Sequence, residues 1–433
     1  MGETFMTVHI SENVYKFIEE ISERAQADNP KWGKIFKECF LDTLEKTARV
    51  NEDGTTFVLT GDIPAMWLRD STAQFRPYLM LADFDESIRE LISGLVELQF
   101  QYIIHDPYAN AFNQTANGNG HQSDHTELTP LIWERKYEID SLAYPLQLAY
   151  LLYKNTGKTE HFNATFMEAL EAIVGVWEQE QDHSQSPYTF VRDTDRLEDT
   201  LDNDGRGSDT AYTGMTWCGF RPSDDRCQYH YLVPSNMFAV VVLDYMLDLK
   251  DTIDVPEDLA RRMEKLRDEI DQGIQEHGVV QNKAGKDIYA YEADGLGNYS
   301  IMDDPNVPSL LAAPYLGYCE LDDELYINTR STILSEENPY YYQGEYASGL
   351  GSSHTWDQYI WPIALSMEGL TTEDKAYKRD ILNTLVNTDG GTNRMHESFD
   401  VNDPSKYTRE WFSWANMMFC ELLLDYYDIR VKK

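Results

Sequence analysis

The chain is expected to be an all-α protein whose helices pair into a closed ring, with long polar loops gathered at one mouth. Three observations predict this. Apolar residues recur at helical spacing through most of the 433 residues, strand-like alternation is rare, and the helical stretches alternate between short turns and loops too long to be idle connections.

Residues 11–28 place Val14, Phe17, Ile18 and Ile21 at helical spacing, with Ser11 as a suitable N-cap. The same period recurs over 32–49, 86–104, 138–155, 163–180, 235–250, 257–275, 322–334, 357–368, 373–387 and 407–428. The strand candidates are short, TFVLT at 56–60 and YTFV at 188–191. Long loops rich in Gly, Asp, Arg, Trp and Tyr span 51–70, 105–136, 182–234, 280–306 and 336–356. No internal repeat suggests a solenoid. No Pro/Gly/Ser-rich or single-charge run suggests a linker, so residues 1–433 are expected to form a single catalytic domain.

The formal net charge of −39 is spread along the chain, which argues against nucleic acid and anionic membranes as partners. No stretch approaches the roughly 20 apolar residues of a membrane span. The opening residues, MGETFMTVHISENVYKF, lack a basic region followed by an apolar run, so no signal peptide is expected. Five scattered cysteines without CxxC spacing predict reduced thiols and a cytoplasmic protein. The glycosylation-type sequons at Asn113, Asn163 and Asn298 are then chance matches. The 28 Tyr, 17 Phe and 9 Trp, many in polar loops, suit a wet pocket for a ligand with apolar and hydroxyl faces, as sugars have.

Six segments carry candidate chemistry. TGDIPAMWLRDSTAQFR (60–76) places Trp67, Arg69 and Asp70 beside a helix start: a flat wall, a donor and an acceptor. WERKYEID (133–140) interleaves Trp133 and Tyr137 with Glu134, Arg135 and Asp140; it reads equally as a solvated helix face. HQSDHTE (121–127) spaces His121 and His125 at i, i+4, but within a loop that spacing does not align two imidazoles, so no metal site is expected. YYQGEYASGLGSSHTWD (341–357) offers Glu345 and His354 among glycines, and DGGTNRMHESF (389–399) places Glu397 in a loop. In TWCGFRPSDDRCQYHY (216–231), Asp224 and Asp225 lie between Arg221 and Arg226. Glycoside cleavage typically needs two carboxyl groups, one of them protonated. A neighbouring carboxylate and an aromatic wall would raise one aspartate, while the flanking arginines could hold the other ionised.

TGDIPAMWLRDSTAQ, WERKYEIDSL, TGMTWCGFRPSDD, NRMHESF and EWFSWAN, in that order from about residue 60 to about 420, resemble glycoside hydrolase family 125, the metal-independent exo-α-1,6-mannosidases of bacteria and fungi. The resemblance implies an (α/α)6 barrel, no cofactor, an α-mannoside oligosaccharide substrate and an inverting mechanism. It implies Asp224 as the acid and Glu397 as the base. It further implies a mannose pocket formed by Arg69, Asp70, Glu134, Arg135, Asp140, Trp217, Arg221, Asn306, Glu345 and His354.

Overall fold

The structure, a computed structural model, describes residues 8–433; the first residues of the N-terminal stretch considered above lie outside it. Its helices form two concentric layers. The outer layer comprises α2 (Pro30–Asp42), α4 (Glu86–His105), α6 (Ala164–Gln179), α8 (Glu257–His277), α10 (Glu324–Ile333) and α12 (Lys375–Asn387), with α1 (Glu12–Asp28) packed on α2. The inner layer comprises α3 (Leu68–Phe75), α5 (Ile139–Thr156), α7 (Val233–Asp248), the short α9 (Ala313–Leu316), α11 (Pro362–Leu370) and α13 (Ser413–Tyr426). Inner neighbours pack in sequence, α3 on α5, α5 on α7 and α7 on α9, and α13 closes from α11 back onto α3. This is the (α/α)6 barrel.

Residue pattern sorts the helices between layers. The outer α8 buries only Leu259, Met263, Leu266, Ile270, Gly273 and Ile274, a stripe at spacings of three and four, and exposes its charges. The inner α7, VPSNMFAVVVLDYMLD, is buried through most of its circumference and shows no stripe. Ser11 caps α1 by accepting from the Val14 amide, and Gly157 ends α5 in the left-handed region at φ 69°.

The structure departs from the sequence expectations at several boundaries. The helix expected over 32–49 ends at Asp42, passes through a π turn at Thr43–Thr47 and enters a strand, Ala48–Val50, that pairs with Thr56–Val58. The helix expected from 407 begins at Ser413, because Asp403–Thr408 pairs antiparallel with Ser398–Asp400. The helix expected from 357 begins at Pro362, where proline's missing amide costs nothing. The segment 188–191 forms no strand; Val191 makes one bridge to His125. The helix start expected beside Asp70 is that of α3, which begins two residues earlier at Leu68, and α9 lies between 306 and 322, where no element was expected. Every residue of α3 is buried, so it has no polar face to set a period.

The segments at or just before the N-termini of the inner helices supply the wall of one cavity. Trp67, Arg69 and Asp70 come with α3, Glu134 and Lys136 with α5, and Asp224 from the loop before α7. Asn306 precedes α9, His354 and Trp361 precede α11, and Glu397, Arg409, Phe412 and Trp414 come with α13. The alternation of short turns and long loops in the sequence therefore corresponds to the two ends of the barrel.

Candidate active site

The cavity has a volume of about 460 Å³. Its walls carry Ile63, Trp67, Trp133, Trp361, Phe412 and Trp414, and its polar groups include Arg69, Asp70, Glu134, Lys136, Arg192, Arg196, Asp224, Asn306, His354 and Glu397. Short three-stranded sheets fix the rim. Met66–Trp67 pairs with Ala111–Phe112, which pairs with Ile132–Glu134, and this ties Trp67 to Glu134. The hairpin of Ser398–Asp400 and Asp403–Thr408 holds Glu397, whose amide donates to the Thr408 carbonyl at 3.3 Å.

Arg69 is the centre of the charge arrangement. Its Nη1 donates to Glu138 Oε2 at 2.6 Å and to Asp140 Oδ2 at 3.2 Å, its Nη2 donates to Asp224 Oδ1 at 3.0 Å, and its Nε lies 3.3 Å from Asp70 Oδ1. The guanidinium also lies 5.8 Å from the Trp414 ring centroid. Burial pushes Asp70 and Asp140 each up to about 6, against the pull of Arg69.

The adjacent aspartates have separate environments. Asp224 sits in the left-handed region at φ 65°, a conformation that aspartate tolerates better than most residues. Its amide donates to the Arg221 carbonyl at 2.9 Å, and the Arg221 amide donates to the Asp225 carbonyl at 2.7 Å, closing a tight turn. The Asp224 carboxylate accepts from Arg69 and, at 3.4 Å, from Asn110 Nδ2, while Lys136 Nζ donates to the Asp224 backbone carbonyl at 2.7 Å. Asp225 is fully buried and accepts from Arg196 Nη2 at 2.8 Å, His354 Nδ1 at 2.9 Å and Ser353 Oγ at 2.6 Å. Burial would raise both carboxyls, but the surrounding cations and donors hold both well below the usual carboxylate range. The flanking arginines take no part: Arg221 pairs with Glu292 at 2.6 Å and Arg226 with Asp202 at 2.8 Å. The expected split of two pKa values by Arg221 and Arg226 is therefore not what the structure builds.

Of the residues implied for the pocket, Arg69, Asp70, Glu134, Asp224, Asn306, His354 and Glu397 line the cavity. Five do not. Asp140 lies behind Arg69. Arg135 turns to Asp106 at 2.7 Å and stands over the rings of Tyr108 and Tyr188. Trp217 is buried in a stack between His183 and His230, with centroids at 3.4 and 4.8 Å. Arg221 lines a neighbouring cavity, and Glu345 is exposed, its backbone amide held by Asn402. Arg135, Trp217 and Arg221 are held by partners outside the cavity lining, Asp140 is held by Arg69, and Glu345 faces solvent.

Several lining groups had no local signal. Arg192 clamps Asp124 through Nε at 2.8 Å and Nη2 at 2.7 Å, and also reaches Glu134 at 2.8 Å. Arg409 Nη1 lies 3.6 Å from Glu397 Oε2, and Arg196 bridges Asp199 and Asp225. Each is an arginine within a charged loop, distinguished only by what folds against it. The loop that raised a metal question is tied down through its side chains: Arg192 clamps Asp124, His125 Nε2 lies 3.1 Å from Asp193 Oδ2, and His121 Nε2 lies 3.6 Å from Glu134 Oε2.

Known proteins share both the sequence and this architecture. Residues 29–424 match the family model described as metal-independent alpha-mannosidase (GH125). The meiotically up-regulated gene 157 protein of Schizosaccharomyces pombe is 39% identical over 96% of this chain and 86% of its own length. A metal-independent α-mannosidase structure from Streptococcus pneumoniae, in a non-productive complex with α-1,6-mannobiose, is 61% identical over 98% of this chain and 100% of that chain, with a TM-score of 0.96. A bacterial glucoamylase structure shares only the fold, at 11% identity over 98% of this chain and 60% of that chain, with a TM-score of 0.60. The chain belongs to glycoside hydrolase family 125 and is a metal-independent α-mannosidase.

Proposed function

We propose that this α-mannosidase removes a terminal, non-reducing α-1,6-linked mannose from a mannan or N-glycan fragment, with inversion at the anomeric carbon. The observation that carries the reading is the meeting of Asp224 and Glu397, from distant loops, in one cavity walled by tryptophans. The linkage is supported by the similar Streptococcus pneumoniae structure, described with α-1,6-mannobiose. Asp224 gives a proton to the glycosidic oxygen as the anomeric C–O bond breaks. Glu397 takes a proton from the water that attacks the opposite face, and β-mannose leaves. Arg69, Glu134, Asn306 and His354 offer donors and acceptors to the ring hydroxyls. A cytoplasmic setting is part of the proposal and rests on the five scattered thiols.

The test is proton NMR of purified protein with α-1,6-mannobiose over the first minutes. The expected first product is β-mannose. Early α-mannose would overturn inversion, and cleavage of only α-1,2- or α-1,3-mannobiose would overturn the linkage.

A further inference from the structure

An acid must hold a proton, yet, against the effect of burial, the Arg69 guanidinium and neighbouring donors hold Asp224 well below the usual carboxylate range. The question is where the proton resides. Four carboxyls, Asp70, Glu138, Asp140 and Asp224, surround the one guanidinium of Arg69. A second cation, Lys136, directs its Nζ to the Asp224 backbone carbonyl, to Asp199 at 2.9 Å and toward Glu134 at 3.8 Å. His354 also acts on Asp224, and Arg409 on Asp70, but Glu138 and Asp140 both accept from the same Nη1 of Arg69, so these buried carboxyls have less than one cation each and the cluster retains protons.

Glu138 is the member best placed to hold one. It precedes the first turn of α5 and its side chain is fully buried. Its Oε2 accepts from Arg69 Nη1 at 2.6 Å and from Ser141 Oγ at 2.9 Å. Its Oε1 is buried with no donor aimed at it, and the Glu138 and Asp224 carboxyls lie within hydrogen-bonding reach of each other. Two carboxyls in that relation, one fully buried and the other at the cavity wall, favour a proton shared between them. Burial, then the negative charges of Asp224 and Asp140, push Glu138 far above the usual range against the pull of Arg69.

We propose that Glu138 is a positioning residue that holds the catalytic proton for Asp224, the two carboxyls sharing one proton across the Arg69 guanidinium. The inference rests on the reading of Asp224 as the acid. As the glycosidic oxygen approaches, the proton passes from Glu138 to Asp224 and from Asp224 to the departing oxygen. Glu138 is left as a carboxylate on Arg69. Afterwards the proton that Glu397 took from water returns to solvent, and solvent reprotonates Glu138, so the cycle consumes one water and no net proton.

The experiment compares wild type, Glu138→Gln and Asp224→Asn on two substrates: α-1,6-mannobiose, whose departure needs a proton, and 2,4-dinitrophenyl α-mannoside, whose departure does not. Expected for Glu138→Gln is a fall in kcat on the mannobiose of about 100-fold, the lower end for a lost acid, with a shifted pH profile and little change on the activated substrate. Glu138→Asp, which restores a titratable carboxyl, recovers part of the mannobiose turnover. The infrared spectrum of Glu138→Gln at neutral pH lacks a protonated-carboxyl C=O band that the wild type shows, a readout that needs only folded protein. Equal slowing of both substrates, unchanged mannobiose turnover, or no change in that band would each overturn the proposal. If Asp224→Asn itself spares the mannobiose, the acid reading fails. If Asp224→Asn shows the leaving-group dependence and Glu138→Gln does not, only the role of Glu138 fails.

Discussion

His354 Nδ1 donates to Asp225 Oδ1 at 2.9 Å, so the second aspartate of the adjacent pair is committed to an ion pair and not to the cavity. The pair makes stability depend on pH. Although burial alone would lower it, Asp225 raises His354 from 6.5 to about 9. A raised histidine contributes stability that is complete below its ordinary value and is lost as pH rises through about 9. Asp225, depressed below its ordinary range, loses its contribution only in acid. His354→Asn is expected to cost about 2 kcal/mol near neutral pH, and less above pH ~9.5, where the wild-type pair is already neutralised. Thermal unfolding of both proteins across that range checks it.

Asp224→Asn is expected to reduce turnover of α-1,6-mannobiose by about 10²- to 10⁴-fold while sparing an activated aryl mannoside. Glu397→Gln should reduce both, because activation of the attacking water is needed whatever the leaving group. Steady-state kinetics on the two substrates separates acid from base.

Arg69→Met should be strongly destabilising, by about 3–5 kcal/mol, because it removes one side of a buried pair and leaves carboxyls without a counter-ion. Urea denaturation measures this. A loss of activity without a loss of stability would mean that Arg69 serves only the substrate.

Glu345→Gln and Trp217→Phe test the residues that the fold directs away from the cavity. Glu345→Gln is expected to leave kcat/KM for α-1,6-mannobiose unchanged, since Glu345 is exposed and outside the cavity lining. Trp217→Phe should lower stability by about 1–3 kcal/mol through lost packing in the His183–Trp217–His230 stack, with KM preserved. A raised KM for Glu345→Gln would return that residue to the substrate.

Chelation should leave activity unchanged, in keeping with the family's metal-independent description. An assay after exhaustive treatment with a chelator, followed by metal analysis, checks the expectation. Loss of activity restored by a divalent cation would contradict it.

The sequence by itself determined the helical class, the outer helices and the segments that reach the mouth. Outer helices such as α8 have one wet face, and a wet face imposes a readable period. The same logic obscured α3: a helix buried on every side carries no alternation, so the sequence offered a helix start beside Asp70 and no span. The motif containing Asp224 and Asp225 was legible as carboxyls in an aromatic setting, and the resemblance gave them roles. Only the tertiary structure decided which charges meet. The flanking Arg221 and Arg226 take Glu292 and Asp202, while Arg69, far away in the chain, takes Asp224. Electrostatic partnership depends on distance through space and on exclusion of water, and closing the barrel sets both.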